Sequence, residues 1–445
     1  MVDFLFVYEV KNRELENICL LKNELENRGY TVKMIETWYS ILYYVPRIEA
    51  KVVVAFALYN DELVNYIASF SKNVSKIVNL QWEQLFAVAE EESVDSLHNV
   101  VGVAKNAAHI SWGNFNYRRL IEKNMVNPNN AFVCGHMALD YYKPLLKGYF
   151  LSKDQLCKEY GLDSNKKIHL FISSFSYCET PDEVFKQDIY QKLAYDILEL
   201  KRIAIKSQKE VLLWYERIAS TNPEIQFVYR LHPAEVGNLK LKELQNKYKN
   251  FCVIGERSIK QWILVADTIT TWISTSLAEI YAAKKTCAVL RPVDIPAKTD
   301  NRLYWGSRYI KTYEEFSKFI EDDKKGKEIP FPADEEIIRN YYTMDNEYSF
   351  NKICDVLEKV KNDPKYTFDY EAVVTRDPEN VHWKKVKFFI KRLLVKAALI
   401  APFLCRYSLI KVNVFNYKMI RKNYSTDKEI DDICKRLRDV IKANS

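Results

Sequence analysis

The chain has 445 residues, with 66 Lys+Arg against 59 Asp+Glu and a formal net charge of +7. At 48% hydrophobic and 28% charged, its composition is that of a globular protein, and its length suits two or three domains, which excludes wholesale disorder. Its 10 glycines are never closer together than Gly102 and Gly113, so neither a GxGxxG dinucleotide fingerprint nor a P-loop can exist.

Residues 4–10 read as an apolar strand, followed by a helical stretch over 13–28 with Leu15, Ile18, Leu21 and Leu25 on one face and Gly29 closing it. Strands are expected at 32–35 and 52–58, with a helix around 61–70, and further short strands at 77–80, 100–103, 110–112 and 131–134. The pattern pauses over 143–162 and resumes with a buried strand at 168–173. A long helical stretch over 182–220 opens on Thr180-Pro181-Asp182-Glu183, with capping-box spacing and Pro at the first helical position. Strands at 225–231, 251–254, 268–273 and 286–290 alternate with helices at 239–248, 259–265 and 277–283, and 335–361 reads as closing helices.

Such alternation means βαβ units and parallel sheets. The expected division is an N-terminal Rossmann-like domain over 1–145, a second over 146–362, a polar linker over 363–380 and a basic helical tail over 381–445. Ligands of such sheets bind at the carboxyl ends of the strands, here expected between the domains.

The charge is uneven. Eleven Lys/Arg and no Asp or Glu fall between His382 and Thr426, leaving about −4 for the rest. That argues for one local electrostatic contact and against a nucleic-acid-binding surface. In the tail, Lys384, Lys385, Lys387, Lys391, Arg392 and Lys396 interleave with Val386, Phe389, Ile390, Leu393, Leu394 and Ala397. At helical angles the basic residues group on one side, with Phe388, Val395 and Leu399 as apolar exceptions there. This is the pattern of a basic amphipathic helix on an anionic membrane surface, or of a helix packing its apolar face on the body.

Nine scattered cysteines with no CxxC pair argue against a zinc ribbon or redox dithiol and for a reduced, cytosolic setting. MVDFLFVYEV has no basic n-region and runs into a strand pattern, unlike a signal peptide. The apolar run at 397–405 is too short to span a bilayer. The expected location is the cytoplasm, peripheral on the inner face of the membrane.

Two segments carry candidate chemistry. Val228-Tyr229-Arg230-Leu231-His232-Pro233 ends a buried strand, where His232 and Arg230 could hold phosphate and Pro233 fixes the turn. A His satisfied by local backbone is the plain alternative. Thr271-Trp272-Ile273-Ser274-Thr275-Ser276-Leu277-Ala278-Glu279 joins a strand to a helix through three hydroxyls, a natural phosphate seat. Ser276 and Glu279 are also spaced for a capping box, which competes for Glu279 with a role on a ribose diol.

RxHP after a strand, with a Ser/Thr cluster and trailing Glu some forty residues later, resembles bacterial GT-B transferases. These include sialyl- and polysialyltransferases, capsule Kdo transferases and CDP-glycerol glycerophosphotransferases, and the surface carbohydrate (capsule and lipopolysaccharide) biosynthesis proteins look most similar. His109-Ile110-Ser111-Trp112-Gly113 with Arg118 and Arg119 resembles their SWG…R segment, and Cys134-Gly135-His136-Met137-Ala138-Leu139-Asp140 the segment closing their first domain. The serines of the strand at 168–176 resemble the opening of the second domain. The resemblance covers about residues 1–350.

It implies an α/β GT-B enzyme, a glycosyltransferase moving a sugar from a nucleotide donor, CMP- or CDP-linked by preference, to a glycan or lipid-linked acceptor. His232, Ser274, Thr275 and Ser276 would hold the donor phosphates and Glu279 the ribose. The implied acidic base of the first domain falls on Glu83, in Leu80-Gln81-Trp82-Glu83-Gln84, although the families' acid-acid-Gly pattern is absent. Glu90, Glu91 and Glu92 read as a solvated helix face, and Asp140 as structural. His98, His109, His136, His169 and His382 have no ligand-like spacing, so no metal and no cofactor is expected. A polyol-phosphate transferase, a nucleotide-sugar epimerase and a non-catalytic membrane scaffold of the same fold are the alternatives.

Overall fold

The structure, a computed structural model, describes residues 1–186, 188–233, 235, 238–375, 381–401, 403–404 and 407–445. Its strands run in chain order as β1 (Val2–Tyr8), β2 (Val32–Glu36), β3 (Ala50–Ala55), β4 (Ile77–Asn79), β5 (Ala108–Ser111), β6 (Ala131–Val133), β7 (Lys167–Ile172), β8 (Ile225–Arg230), β9 (Phe251–Ile254), β10 (Thr268–Thr271), β11 (Thr286–Leu290) and β12 (Tyr309–Ile310). The helices that bear on the sites are α1 (Lys11–Asn27), α2 (Tyr39–Leu42), α3 (Ile197–Thr221), α4 (Leu277–Ala282), α5 (Ser349–Asn362), α6 (Val381–Ile400), α7 (Ser408–Asn423) and α8 (Asp427–Asn444).

Two six-stranded sheets form, ordered β2-β1-β3-β4-β5-β6 and β12-β11-β10-β7-β8-β9, with all ladders parallel. Each is covered on both faces, so its strands are continuous apolar runs: Phe4–Val7 and Val52–Ala55 in the first, Ile168 and Leu170–Phe171 in the second. The strand order reverses between β1 and β3 in the first sheet and between β7 and β10 in the second. At such switch points two neighbouring crossovers leave on opposite faces and open a crevice at the carboxyl ends.

The chain does not divide at one cut near residue 145. One compact unit holds Met1–Gln84, Val100–Met137 and Asp345–Ala443, and the other holds Leu85–Asn99 and Ala138–Met344. Helix α5, expected with the second domain, packs on α1, where Arg28 pairs with Asp355 and Glu358, both at 2.6 Å. The expected linker is also tied to the first unit where it is described. Tyr366 and Tyr370 are buried, and Glu371 accepts the Val74 N–H at 2.9 Å. Residues 376–380 of that linker lie outside the described residues.

Three local expectations fail for physical reasons. The run at 100–103 is no strand but leads into a 3-10 turn, Gly102–Asn106. Gly102 takes φ +61°, and a Cβ there would lie 2.0 Å from the Asp61 carboxylate, which accepts the Val103 N–H at 2.7 Å. The pause at 143–162 holds a helix, Lys153–Tyr160, with a capping box from Ser152 and Gln155 and an αL stop at Gly161. The long helix over 182–220 is broken. Thr180 Oγ1 donates back to Ser176 O instead of capping, and α3 is capped at its start by Asp196, whose carboxylate accepts from the N–H groups of Leu198 and Glu199.

Candidate functional site

Each unit gathers polar side chains at its own switch point. In the second unit, the loops after β7, β8 and β10 carry them. Ser174 Oγ accepts the Ile273 N–H at 3.0 Å, and Ser173 Oγ lies 3.0 Å from Tyr229 OH, so the short serine turn after β7 holds both neighbouring strand ends.

After β10, Tyr304 fixes the turn. Its hydroxyl accepts from Ser274 N at 2.6 Å and donates to Ser274 O at 2.9 Å. Ser274 Oγ then accepts the Ser276 N–H at 3.2 Å. Ser276 has helical backbone angles and makes no side-chain cap, so the capping box with Glu279 does not form. That leaves Thr275 exposed, Ser274 half-buried and Ser276 buried. Glu279 is buried and accepts from Tyr142 OH at 3.1 Å.

After β8, His232 is half-buried. Its N–H donates to Glu235 Oε2 at 3.1 Å, and the Glu235 N–H returns to His232 O at 2.9 Å. Burial, the dominant influence, raises the Glu235 carboxyl above its ordinary value, although Tyr229 OH donates to it at 3.1 Å and Gln208 at 3.2 Å.

Arg230 does not present a fork to a ligand. Its guanidinium is buried and donates to the carbonyls of Leu231 at 3.0 Å and Arg257 at 2.7 Å, holding the ends of β8 and β9. Its expected role on phosphate is corrected to a tie between strand ends. Burial also lowers its pKa to about 10. His232 and the Ser274–Glu279 segment therefore end the two strands that flank β7, about 10 Å apart at two strand spacings.

In the first unit, the cluster follows β1 and β4. Arg13, in the first turn of α1, donates to Glu14 Oε1 at 2.7 Å and pairs with Glu83. The Glu83 side chain is 63% exposed. Gln81 takes φ +48°, a left-handed conformation costly for a residue with a Cβ. It is held there by Asn79 Oδ1 accepting its N–H at 3.0 Å and by its amide donating to Tyr59 OH at 2.7 Å.

Glu9 sits at the carboxyl end of β1, half-buried. Desolvation first, then the charge of Glu14, pushes it up to about 7. Glu36, at the end of β2, is likewise pushed up to about 7 by burial. Sequence reasoning missed Glu9, Arg13 and Glu235. The signals were available: a carboxylate right after the first strand, a basic residue one turn on, and a Glu three residues past His232.

Other expectations are settled by burial. Glu90 and Glu91 are not solvated: both are buried, Glu90 accepting from Ser96 OH at 2.5 Å and His98 at 3.0 Å, Glu91 from Tyr341 OH at 2.7 Å. Asp140 is fully buried and pairs with Lys143 at 3.1 Å. His109 is a core histidine, lowered to about 4 by burial, between Asn79 Nδ2 at 3.1 Å and the Ala104 carbonyl at 2.9 Å. Among the described residues no group of three His, Cys, Asp or Glu could hold a metal ion.

No protein-family model matches the chain, and no curated protein matches it in sequence. Solved structures do match. A variant of the wall teichoic acid polymerase TagF is 12% identical and has a TM-score of 0.52, over 81% of this chain and 89% of that one. The UDP-GlcNAc 2-epimerase of Neisseria meningitidis bound to UDP-GlcNAc is 12% identical with a TM-score of 0.50, over 80% of this chain and 100% of that one. A glycosyltransferase from Rickettsia africae is 12% identical, covering 81% and 99%, with a TM-score of 0.44. The fold is GT-B: two α/β units, each on a parallel six-stranded sheet, with C-terminal helices added.

Proposed function

We propose that the chain is a GT-B transferase that moves a group from a nucleotide-activated donor to an acceptor hydroxyl. Glycosyl transfer from a CMP- or CDP-type donor into a bacterial surface polysaccharide is the leading case. One observation carries this reading. His232 and Ser274–Glu279, more than forty residues apart in the chain, end the two strands flanking β7 at the switch point of the second sheet.

There, His232 and the hydroxyls of Ser274, Thr275 and Ser276 take the donor phosphates, and Glu279 faces the ribose. The buried guanidinium of Arg291, paired with Asp300 at 3.0 Å, lies 4.9 Å from the ring centroid of Tyr304 and so supports the residue that fixes the Ser274 turn.

The acceptor belongs to the first unit, where a carboxylate must take the hydroxyl proton as the oxygen attacks. Glu83 is engaged by Arg13 in solvent, whereas Glu9 sits at the strand end and is pushed up to about 7. A base matched to neutral pH is the more effective one, so the proton is assigned to Glu9.

The likeness to the teichoic acid polymerase supports a second reading on the same site, transfer of a polyol phosphate. The mass of the product separates the two, since one adds a sugar and the other a phosphodiester-linked polyol. Conversion of a sugar nucleotide with no acceptor present would instead favour epimerisation. Nucleotide binding tests the shared claim: His232→Ala should lose it while keeping the wild-type circular dichroism spectrum.

A further inference from the structure

The C-terminal helices pack on the protein through a narrow seam. On α6, Trp383, Val386, Phe389, Ile390, Leu393, Leu394, Ala397 and Ile400 fall within an arc of about 140°. That arc is not packed on the body. Trp383 is 68% exposed, Phe389 54% and Ile400 86%. The helix packs instead through Val395 and Ala398, which join Leu42 of α2 and Val414 and Ile420 of α7 in a small core. Basic residues bracket this seam. Arg392 donates to Leu42 O at 3.1 Å and lies over the Tyr43 ring. On α7, Val412 and Phe415 are exposed as well, each 55% accessible.

An exposed apolar surface of this extent marks an interaction site. Its charge selects the occupant. No acid lies between His382 and Thr426, so a second copy docking face to face would bring like charges together. Among the described residues no helix is long and apolar enough to cross a membrane. A helix pair with an exposed apolar arc, flanking lysines and too little length to span suits the interfacial plane.

We infer that α6 and α7 dock the first unit on an anionic lipid leaflet, with Phe389, Leu393, Ile400 and Phe415 sunk to the acyl boundary and the lysines on the headgroups. This surface stands on its own observations and does not need the transfer chemistry. Its position adds a consequence that does rest on that chemistry. Asn423, the last residue of α7, accepts the Lys11 N–H at 3.2 Å, and α2 begins three residues past β2. The helix pair therefore stands at the carboxyl end of the first sheet, beside Glu9, where a lipid-borne acceptor would arrive.

The test uses the full chain and vesicles of phosphatidylcholine with or without phosphatidylglycerol. The wild type should co-sediment with the anionic vesicles at least about tenfold more strongly than with neutral ones. Brominated acyl chains should quench Trp383, and Trp383→Phe should remove that quenching. The pair Phe389→Glu and Leu393→Glu, at exposed positions, should cut binding about tenfold or more while leaving nucleotide binding unchanged. Equal pelleting of wild type and this pair would overturn the inference. So would binding abolished by salt with no quenching, which is charge alone. A wild-type dimer made monomeric by the pair, with no vesicle binding, would give the surface to a second copy. Loss of nucleotide binding with vesicle binding intact would instead remove the transfer reading alone.

Discussion

The main-chain N–H of His232 donates to the carboxylate of Glu235 at 3.1 Å, and the N–H of Glu235 returns to His232 O at 2.9 Å. This two-way closure sets the path of the chain after β8 and so the direction of the imidazole. Glu235→Ala should deprive the His232 N–H of its carboxylate acceptor and leave the Tyr229 hydroxyl only Ser173 Oγ to bond. The expected cost is about 1–3 kcal/mol of stability, read by urea unfolding. Nucleotide affinity should fall with it, while Glu235→Gln, which keeps an acceptor, should recover most of both. Wild-type affinity in the Ala variant would show that the turn holds itself.

Arg230 separates a structural cation from a ligand-binding one. Arg230→Met should destabilise by about 3 kcal/mol or more, because charged hydrogen bonds to the carbonyls of Leu231 and Arg257 vanish. A variant of wild-type thermal midpoint that no longer binds nucleotide would return Arg230 to the phosphate.

The proton acceptor is read from rate profiles. Turnover should rise with pH through about 7 as Glu9 ionises. Glu9→Gln should remove that limb and lower kcat by about 10²–10⁴-fold. Glu83→Gln should preserve the limb. The reverse pattern would restore Glu83.

Stability should carry the same signature with a defined sign. Glu9 and Glu36 are each pushed up to about 7 from an ordinary 4.5, so the folded chain binds these protons more tightly than the unfolded one. Their contribution is fully present below the ordinary value and is lost as pH rises through 7. The thermal midpoint of Glu9→Gln should therefore fall less than that of the wild type between about pH 5 and about pH 8. Parallel midpoint curves would contradict the shift.

Period and turn chemistry made most of the fold legible. Eleven of the twelve strands coincide with apolar runs, because parallel strands buried on both faces are continuous hydrophobic stretches. The two-residue β12 is too short for such a run. The strand ends at His232 and Ser274 were legible for the same reason: a buried run stops where a polar one begins. What failed depended on partners distant in sequence. Gly102 takes its turn because Asp61 lies beneath it, and Glu90 is buried because the Ala194 N–H meets it at 2.5 Å. The tail left two readings open, an apolar arc laid on a membrane or packed on the body. The arc is exposed, and one of the apolar exceptions among the lysines, Val395, with Ala398 beside it, makes the seam. Helical angles reveal that two faces differ, not which one meets a neighbour.

In the proposed reading the second unit binds a nucleotide at the His232 and Ser274 turns. The most direct test is the thermal midpoint of the wild type and of His232→Ala with CMP, CDP, UDP and GDP, since a ligand bound only by the folded state raises it. A cytidine nucleotide should raise the wild-type midpoint most and leave that of His232→Ala unmoved. No shift with any nucleotide, or equal shifts in both proteins, would contradict it.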